Sequence, residues 1–161
     1  MIKDSGDRRE FNTGAVRDIP EGKGRCDLMP LDIADTILKT REKNDEVLLC
    51  IECYKESKQP TYLEEALMNF IKHYYSNPET ALLEVSKHFE QGAEKYGEYN
   101  WQKGIPVHSY IDSAVRHYLK HRRGDQDEPH DRAFVWNMMC AVWTIDHKPE
   151  MIDIPKEERN E

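Results

Sequence analysis

The stretch HDRAFVWNMMCAVWTID at residues 130–146 decides the fold. If this stretch is a helix, apolar side chains cover most of its circumference, and a helix of that kind is buried on all sides. Pro129, just before it, suits the start of a helix, where a missing N–H costs little. We therefore predict that residues 129–146 form the central helix of a bundle.

The two segments before this one are amphipathic. Asn77 can cap a helix over residues 78–96, and Pro78 suits its first turn. A second helix is predicted over residues 107–122, ended by Gly124. Helical spacing divides the first of these helices into an apolar and a polar stripe. The predicted apolar stripe is Leu82, Val85, Phe89, Ala93 and Tyr96, and the predicted polar stripe is Glu84, His88, Gln91 and Lys95.

The rest of the chain predicts further helices and two irregular ends. Helical periodicity begins at Pro30, and apolar stretches at about 45–55 and 61–75 follow it. No strand-like alternation of useful length occurs, and the N-terminal residues carry glycine and charge without a period. The predicted fold is all-α, a single domain over 1–161 with an irregular arm (1–29), a helical bundle (30–147) and a tail (148–161) that is frayed from 156.

The charge balance excludes some partners. The 161 residues include 23 basic and 31 acidic side chains, and the formal charge of −8 has the wrong sign for binding along a nucleic-acid backbone. No apolar run approaches the roughly 18 residues that span a bilayer, and residues 1–10 are too polar for a signal peptide. We expect a cytoplasmic protein. Because 38% of the residues are hydrophobic and 34% are charged, we expect a homo-oligomer whose partner subunit completes the core.

Candidate chemistry concentrates between residues 84 and 131, where carboxylates, histidines and cations lie off the apolar stripes. Hydrolysis of a phosphate anhydride needs oxygen ligands for Mg²⁺ or Mn²⁺, cations for the phosphates and an activated water. Acids at helical spacing, such as Asp127 and Asp131, can approach one ion, although such pairs commonly coat a solvated surface. The predicted metal ligands are Glu84, Glu90, Asp127 and Asp131.

Polar residues on and beside the central helix are the candidates for catalysis. His130 and Asn137 are seven residues apart and therefore on one face, where they form either a buried hydrogen-bonded network or part of a cleft. His117 lies beside Arg116 and Asp112 on the polar side of the preceding helix and could complete that cleft. The predicted catalytic residues are His117, His130 and Asp112.

Cations and aromatic residues near these helices could bind a nucleotide. Ammonium and guanidinium groups compensate phosphate charge, and aromatic rings can stack on a base. Each such residue taken alone could equally be a surface charge or close a core. The predicted substrate-binding residues are Lys23, Arg25, Lys95, Tyr96, Asn100, Trp101, Lys103 and Arg116.

Five phrases stand out along the chain: TGAVRD (13–18), EGKGRCDLMP (21–30), KYGEYNWQKGIP (95–106), RH (116–117) and DEPHDRAFVWN (127–137). In this order they resemble the phage-type dATP/dGTP diphosphohydrolase family. The resemblance implies an all-α fold similar to the MazG-like pyrophosphohydrolases, and metal-dependent hydrolysis of dATP or dGTP to the monophosphate and pyrophosphate. The chain has no strict copy of the Glu-Glu-x-x-Glu and Glu-x-x-Asp helices of MazG-like enzymes, which leaves the individual metal ligands open.

We expect the candidate residues to converge on one cleft, where water attacks the α-phosphorus and pyrophosphate leaves. The expected members are Glu84 or Glu90, then Asp112 or His117, then Asp127, His130 or Asp131, with Lys95 and Arg116 at the rim and Lys23 and Arg25 brought in by the arm.

Two alternatives stay open. His88, His117 and the dipeptide His130-Asp131 could belong to an HD-type phosphohydrolase, with a histidine-ligated transition metal and tripolyphosphate as product. An acidic phage protein that binds a host factor through an exposed helical face would instead have a large apolar patch and no metal-dependent turnover.

Overall fold

The computed structural model describes residues 5–39 and 44–154. Six α-helices make up most of that part of the chain, and the predicted all-α bundle is confirmed. They are α1 (Leu31–Leu38), α2 (Val47–Ser57), α3 (Thr61–Tyr74), α4 (Pro78–Tyr96), α5 (Val107–Arg123) and α6 (His130–His147). The bounds of α4, α5 and α6 agree with the predicted ones to within one residue.

The centre of the bundle is α6, as its apolar circumference predicts. It packs against α3, α4 and, most extensively, α5. Burial of the three consecutive residues 133–135 shows that the helix is enclosed on more than one side. Phe134 is fully buried, and its ring centroid lies 4.2 Å from that of Phe70 on α3. Aromatic packing therefore fixes α6 against its neighbours.

Local sequence fixes where α4 and α5 begin and end. Asn77 Oδ1 accepts a hydrogen bond from Thr80 N–H at 2.8 Å, which caps α4, and Pro78 occupies its first turn. Gly97 follows α4 with φ of 93°, and Gly124 follows α5 with φ of 91°. Residues with a Cβ rarely adopt such values, so glycine ends both helices at these points.

The arm contains a hairpin, which corrects the prediction that residues 1–29 are irregular. Strands β1 (Arg8–Glu10) and β2 (Val16–Asp18) pair antiparallel, and a 3-10 turn covers Cys26–Leu28. Strands of three residues are too short for alternation to reveal them. The side-chain amide of Asn100 anchors the hairpin, because it donates to Val16 O and accepts from Val16 N–H, both at 3.0 Å.

The bundle-facing stripe of α4 differs from the predicted one. Ala81, Val85 and His88 are buried, whereas Leu82, which spacing assigns to the apolar stripe, is 53% exposed. The imidazole of His88 packs against Trp136 of α6 with ring centroids 5.4 Å apart. The inner face of α4 therefore carries a histidine that the sequence pattern places on the polar stripe.

No described helix is long and apolar enough to cross a membrane. The frayed tail predicted for residues 156–161 lies outside the described residues, and the homo-oligomer stays a prediction.

Candidate active-site cleft

A cleft of about 750 Å³ lies between the arm and the helices α4, α5 and α6. Among the described residues that line it, cations outnumber acids six to three, although the chain carries a formal charge of −8. The cations are Arg9, Arg17, Lys23, Arg25, Arg116 and Lys120, and the acids are Asp18, Asp112 and Glu128. A concave surface of this charge attracts anions such as phosphates.

The buried acid Asp112 joins the arm to α5. Its Oδ1 accepts Cys26 N–H and its Oδ2 accepts a guanidinium hydrogen of Arg116, both at 2.6 Å. Arg116 also donates to the backbone oxygens of Lys23 and Gly24, at 3.2 and 2.9 Å. These contacts hold the segment 23–26 against the cleft wall.

Two histidines and a glutamate meet where α5 faces the start of α6. His117 Nδ1 and His130 Nδ1 are 2.9 Å apart, and Glu128 Oε1 lies 3.5 Å from the first and 3.9 Å from the second. Asp127 Oδ1 lies 2.7 Å from His130 Nε2, on the other side of that ring. Desolvation by burial, followed by the effect of His130, lowers the pKa of His117 well below its usual range. The neutral imidazole, which is the form that binds metals, is therefore favoured.

This histidine–glutamate cluster, His117, Glu128 and His130, fits a divalent metal. One ligand atom from each residue lies within 4.8 Å of the other two. Two imidazole nitrogens and a carboxylate suit Mn²⁺ or another transition metal better than Mg²⁺, which prefers oxygen ligands. Asp127 would accept a hydrogen bond from the other ring nitrogen of His130 and so fix the orientation of that ring, as carboxylates commonly do for metal-binding histidines.

The part of the chain that builds this cluster also decides its family. The family model described as dATP/dGTP diphosphohydrolase, N-terminal, matches residues 57–154, which include α3 to α6. The chain belongs to this family. No curated protein and no solved structure matches it. The hairpin lies outside the matched residues.

Many of the residues predicted to act in this diphosphohydrolase-family chain do line the cleft. They are Lys23, Arg25, Tyr96, Asn100, Asp112, Arg116 and His117. His130 is buried, and its Nδ1 contacts that of His117. Asp127 contacts the other ring nitrogen of His130. The two bonds between Asn100 and Val16 occupy the Asn100 amide, so this residue positions the hairpin.

The structure keeps the other predicted metal ligands apart, which corrects the expected convergence. Glu84 pairs with Lys87 of its own helix at 2.8 Å, and Glu90 is exposed. Asp131 Oδ2 accepts the hydroxyl hydrogen of Tyr75 at 2.9 Å. None of these three acids lines the cleft, because the inner stripe of α4 runs through His88 and Asp131 points toward the end of α3.

Three predicted substrate-binding residues also lie outside the cleft lining. The ammonium of Lys95 lies 5.8 Å from the centroid of the Tyr96 ring. Trp101 packs edge-on against Trp143, with ring centroids 5.0 Å apart, and so closes the core. Lys103 is exposed. Proximity in sequence to Tyr96 was therefore a poor guide to proximity to the cleft.

Several residues that line the family member's cleft were not predicted from sequence as site residues. Glu128 lies inside the quoted phrase 127–137, and Arg17 lies inside the phrase 13–18, so both had a usable signal. Arg9 has no such signal in the sequence, because only the strand pairing of the hairpin brings it to the cleft. His88 was placed on the polar stripe of α4 and was named only in the HD-type alternative.

One wall of the cleft combines aromatic rings with free space. Tyr96 and Trp136 line it, and Gly92, which also lines the cleft, lies on α4 one turn from His88 and one turn from Tyr96. A Cβ built on Gly92 would meet no atom within 4 Å, so the glycine leaves room for a ligand. The Nδ1 of His88 and the Nε1 of Trp136 are buried and have no described hydrogen-bond partner. Burial lowers the pKa of His88 to about 3, so its ring stays neutral.

Proposed function

We propose that this protein hydrolyses dATP and dGTP to the deoxynucleoside monophosphate and pyrophosphate with the help of a divalent metal ion. The observation that carries the proposal is the meeting of two features in one cleft. His117 and Glu128 of the histidine–glutamate cluster line the same cavity as six phosphate-compatible cations. The purine preference comes from the name of the family to which the chain belongs.

The metal would be held by His117, His130 and Glu128. When bound there, a divalent ion supplies a water of lowered pKa and neutralises phosphate charge. With Nε2 of His130 protonated, its N–H donates to Asp127 Oδ1, and Nδ1 of that ring keeps the lone pair that a metal would need. This donor set favours Mn²⁺ over Mg²⁺ as the ion that supports turnover.

The chain's own cations would bind the triphosphate. Arg116 is held by Asp112, so its guanidinium is fixed in position before substrate arrives. Lys23 reaches the same cleft from the arm, where it pairs with Asp18 at 2.7 Å. Negative charge that develops on the leaving pyrophosphate would be stabilised by these groups. The purine base of the nucleotide would lie against Tyr96 and Trp136, at the aromatic wall of the cleft.

The HD-type triphosphohydrolase remains the second candidate, because paired histidines are the feature that it requires. The hydrogen bond between Asp131 and Tyr75 is evidence against this candidate. In an HD-type enzyme, the Asp of the His130-Asp131 dipeptide would have to bind the metal. The two candidates differ in their product, which is pyrophosphate for the first and tripolyphosphate for the second.

The test is product analysis. The protein is incubated with each of the four dNTPs and either Mn²⁺ or Mg²⁺, and the phosphorus species are identified by ³¹P NMR. The proposal predicts pyrophosphate from dATP and dGTP, faster with Mn²⁺, and strong loss of turnover in Glu128→Gln. Glu94→Gln, a change of an exposed acid outside the cleft, is the matched control. Tripolyphosphate as product supports the HD candidate, and absence of any product contradicts both.

A further inference from the structure

The hairpin places two arginines directly opposite each other. Arg9 of β1 and Arg17 of β2 are cross-strand partners, and both line the cleft. Like charges in directly opposed positions destabilise a strand pair. The hairpin is only three residue pairs long, so its own strand pairing offers little to offset that repulsion.

Both arginines are docked on α5 at successive turns. Arg9 donates to Ser109 Oγ at 3.0 Å, and Arg17 donates to Ser113 Oγ at 2.9 Å. His117 of the histidine–glutamate cluster comes one turn further along the helix. Since four residues rise about 6 Å, the positions occupied by Arg9, Arg17 and His117 form a row along one side of α5.

Neither arginine has an acidic partner within the described structure. Elsewhere in the cleft, Lys23 pairs with Asp18 and Arg116 with Asp112. Arg17 instead donates to the amide oxygen of Asn137 at 3.2 Å and lies 5.2 Å from the centroid of the Tyr110 ring. Its Nη1, and the Nε of Arg9, are buried without a described hydrogen-bond partner.

Burial and the charge of Arg17 lower the pKa of Arg9 more than the carboxylates of Glu21 and Asp112 raise it. Two neighbouring guanidinium groups that are partly desolvated and have no carboxylate in ion-pair contact are unfavourable unless an anion joins them. The cleft therefore contains a preformed place for a dianion or trianion, held by residues that the family match does not include.

We propose that Arg9 and Arg17 form a clamp for the pyrophosphate portion of the nucleotide. The clamp rests on the proposed function for the identity of its ligand. With the scissile phosphate near His117, the β and γ phosphates extend along α5 toward Arg17 and then Arg9. Bound polyphosphate neutralises the cross-strand repulsion, so it also tightens the docking of the hairpin. The clamp thereby selects tri- and diphosphates over monophosphates.

The test measures binding without turnover. Isothermal titration calorimetry gives Kd for inorganic pyrophosphate and for dAMP, without divalent metal, for wild type, Arg9→Gln and Arg17→Gln. Loss of a charge-assisted hydrogen bond predicts pyrophosphate binding weaker by roughly tenfold to 100-fold in each variant, with less than threefold change for dAMP. Lys72→Gln, which removes an exposed charge on α3, is the matched control and binds like wild type.

Thermal unfolding supplies a second readout. Without ligand, Arg9→Gln is expected to be as stable as wild type or more stable, because the repulsion is gone, and pyrophosphate raises its Tm less. If Arg17→Gln fails to fold, pyrophosphate binding is measured in Arg17→Lys instead, a variant that keeps the positive charge but not the planar guanidinium group. Pyrophosphate binding at wild-type strength in the Arg9 and Arg17 variants overturns the clamp even if dATP is hydrolysed. Clamp-dependent binding of pyrophosphate without any dNTP hydrolysis leaves the clamp standing and overturns the proposed function instead.

Discussion

Replacing Asp112 by asparagine should detach the arm from the bundle. Asp112 is 5% exposed, and its carboxylate uses one oxygen for Cys26 N–H and the other for Arg116. Asparagine keeps the shape but loses the charge, and one of its two terminal groups donates where an acceptor is needed. Arg116 then stays largely buried without a counter-charge while it still contacts the arm backbone.

The size of the effect follows from these two contacts. A hydrogen bond to a charged group contributes about 1.5–3 kcal/mol, and one weaker bond can re-form in the asparagine variant. Since the Arg116 side chain is 13% exposed, water relieves part of the remaining cost. We expect the free energy of unfolding to fall by roughly 2–3 kcal/mol, which corresponds to a Tm lower by roughly 4–12 °C for a chain of this length.

Urea and thermal unfolding, followed by circular dichroism, measure this change. Asp146→Asn, at an exposed position near the end of α6, is the control and should shift stability by less than about 0.5 kcal/mol. Asp112 was predicted from sequence to be catalytic, and the two roles separate here. A variant as stable as wild type that has lost turnover would refute the anchoring role and restore Asp112 as a candidate base.

Three further changes test other parts of the cleft. Glu128→Gln should weaken Mn²⁺ binding at least tenfold, measured by electron paramagnetic resonance, while the Glu94→Gln control does not; equal affinities would remove Glu128 from the metal site. Gly92→Ala should raise the free energy of unfolding by about 0.5–1 kcal/mol, because alanine suits a helix better, yet raise KM for dATP; an unchanged KM would show that the ligand lies elsewhere. The pKa of His88 is lowered to about 3 in the folded protein. Between about pH 6.5 and pH 3 the unfolded chain therefore binds a proton at His88 that the folded chain does not bind. The free energy of unfolding should then fall by up to about 1.4 kcal/mol for each pH unit that the pH drops from about 6.5 toward 3. His88→Gln should make this dependence shallower and the exposed control His147→Gln should not; parallel curves for His88→Gln and wild type would contradict the burial of a neutral ring.

The sequence predicts the helices well because their signals are local. Asn77, Pro78 and Gly124 act within a turn of the ends that they define. The apolar circumference of α6 likewise indicates burial without knowledge of any partner. The cytoplasmic location and the homo-oligomer depend on partners and surroundings that the fold does not reveal, and both stay predictions.

The site was harder to predict because its members depend on tertiary placement. The inner face of α4 packs on the core at Val85 but lines the cleft at His88 and Gly92. The most apolar stripe of this helix therefore includes Leu82, which is exposed, and leaves out His88, which is buried. Asp131 has the residue type and spacing of a metal ligand, yet the hydroxyl of Tyr75 on another part of the chain engages it.

Hydrolysis of dATP in water enriched in ¹⁸O tests the central claim most directly. Attack at the α-phosphorus with departure of pyrophosphate puts the label in dAMP and leaves the pyrophosphate unlabelled, as mass spectrometry can show. We expect that pattern in the presence of Mn²⁺, and its loss in Glu128→Gln. Label in tripolyphosphate or in pyrophosphate, or no metal-dependent release of either, would contradict the account.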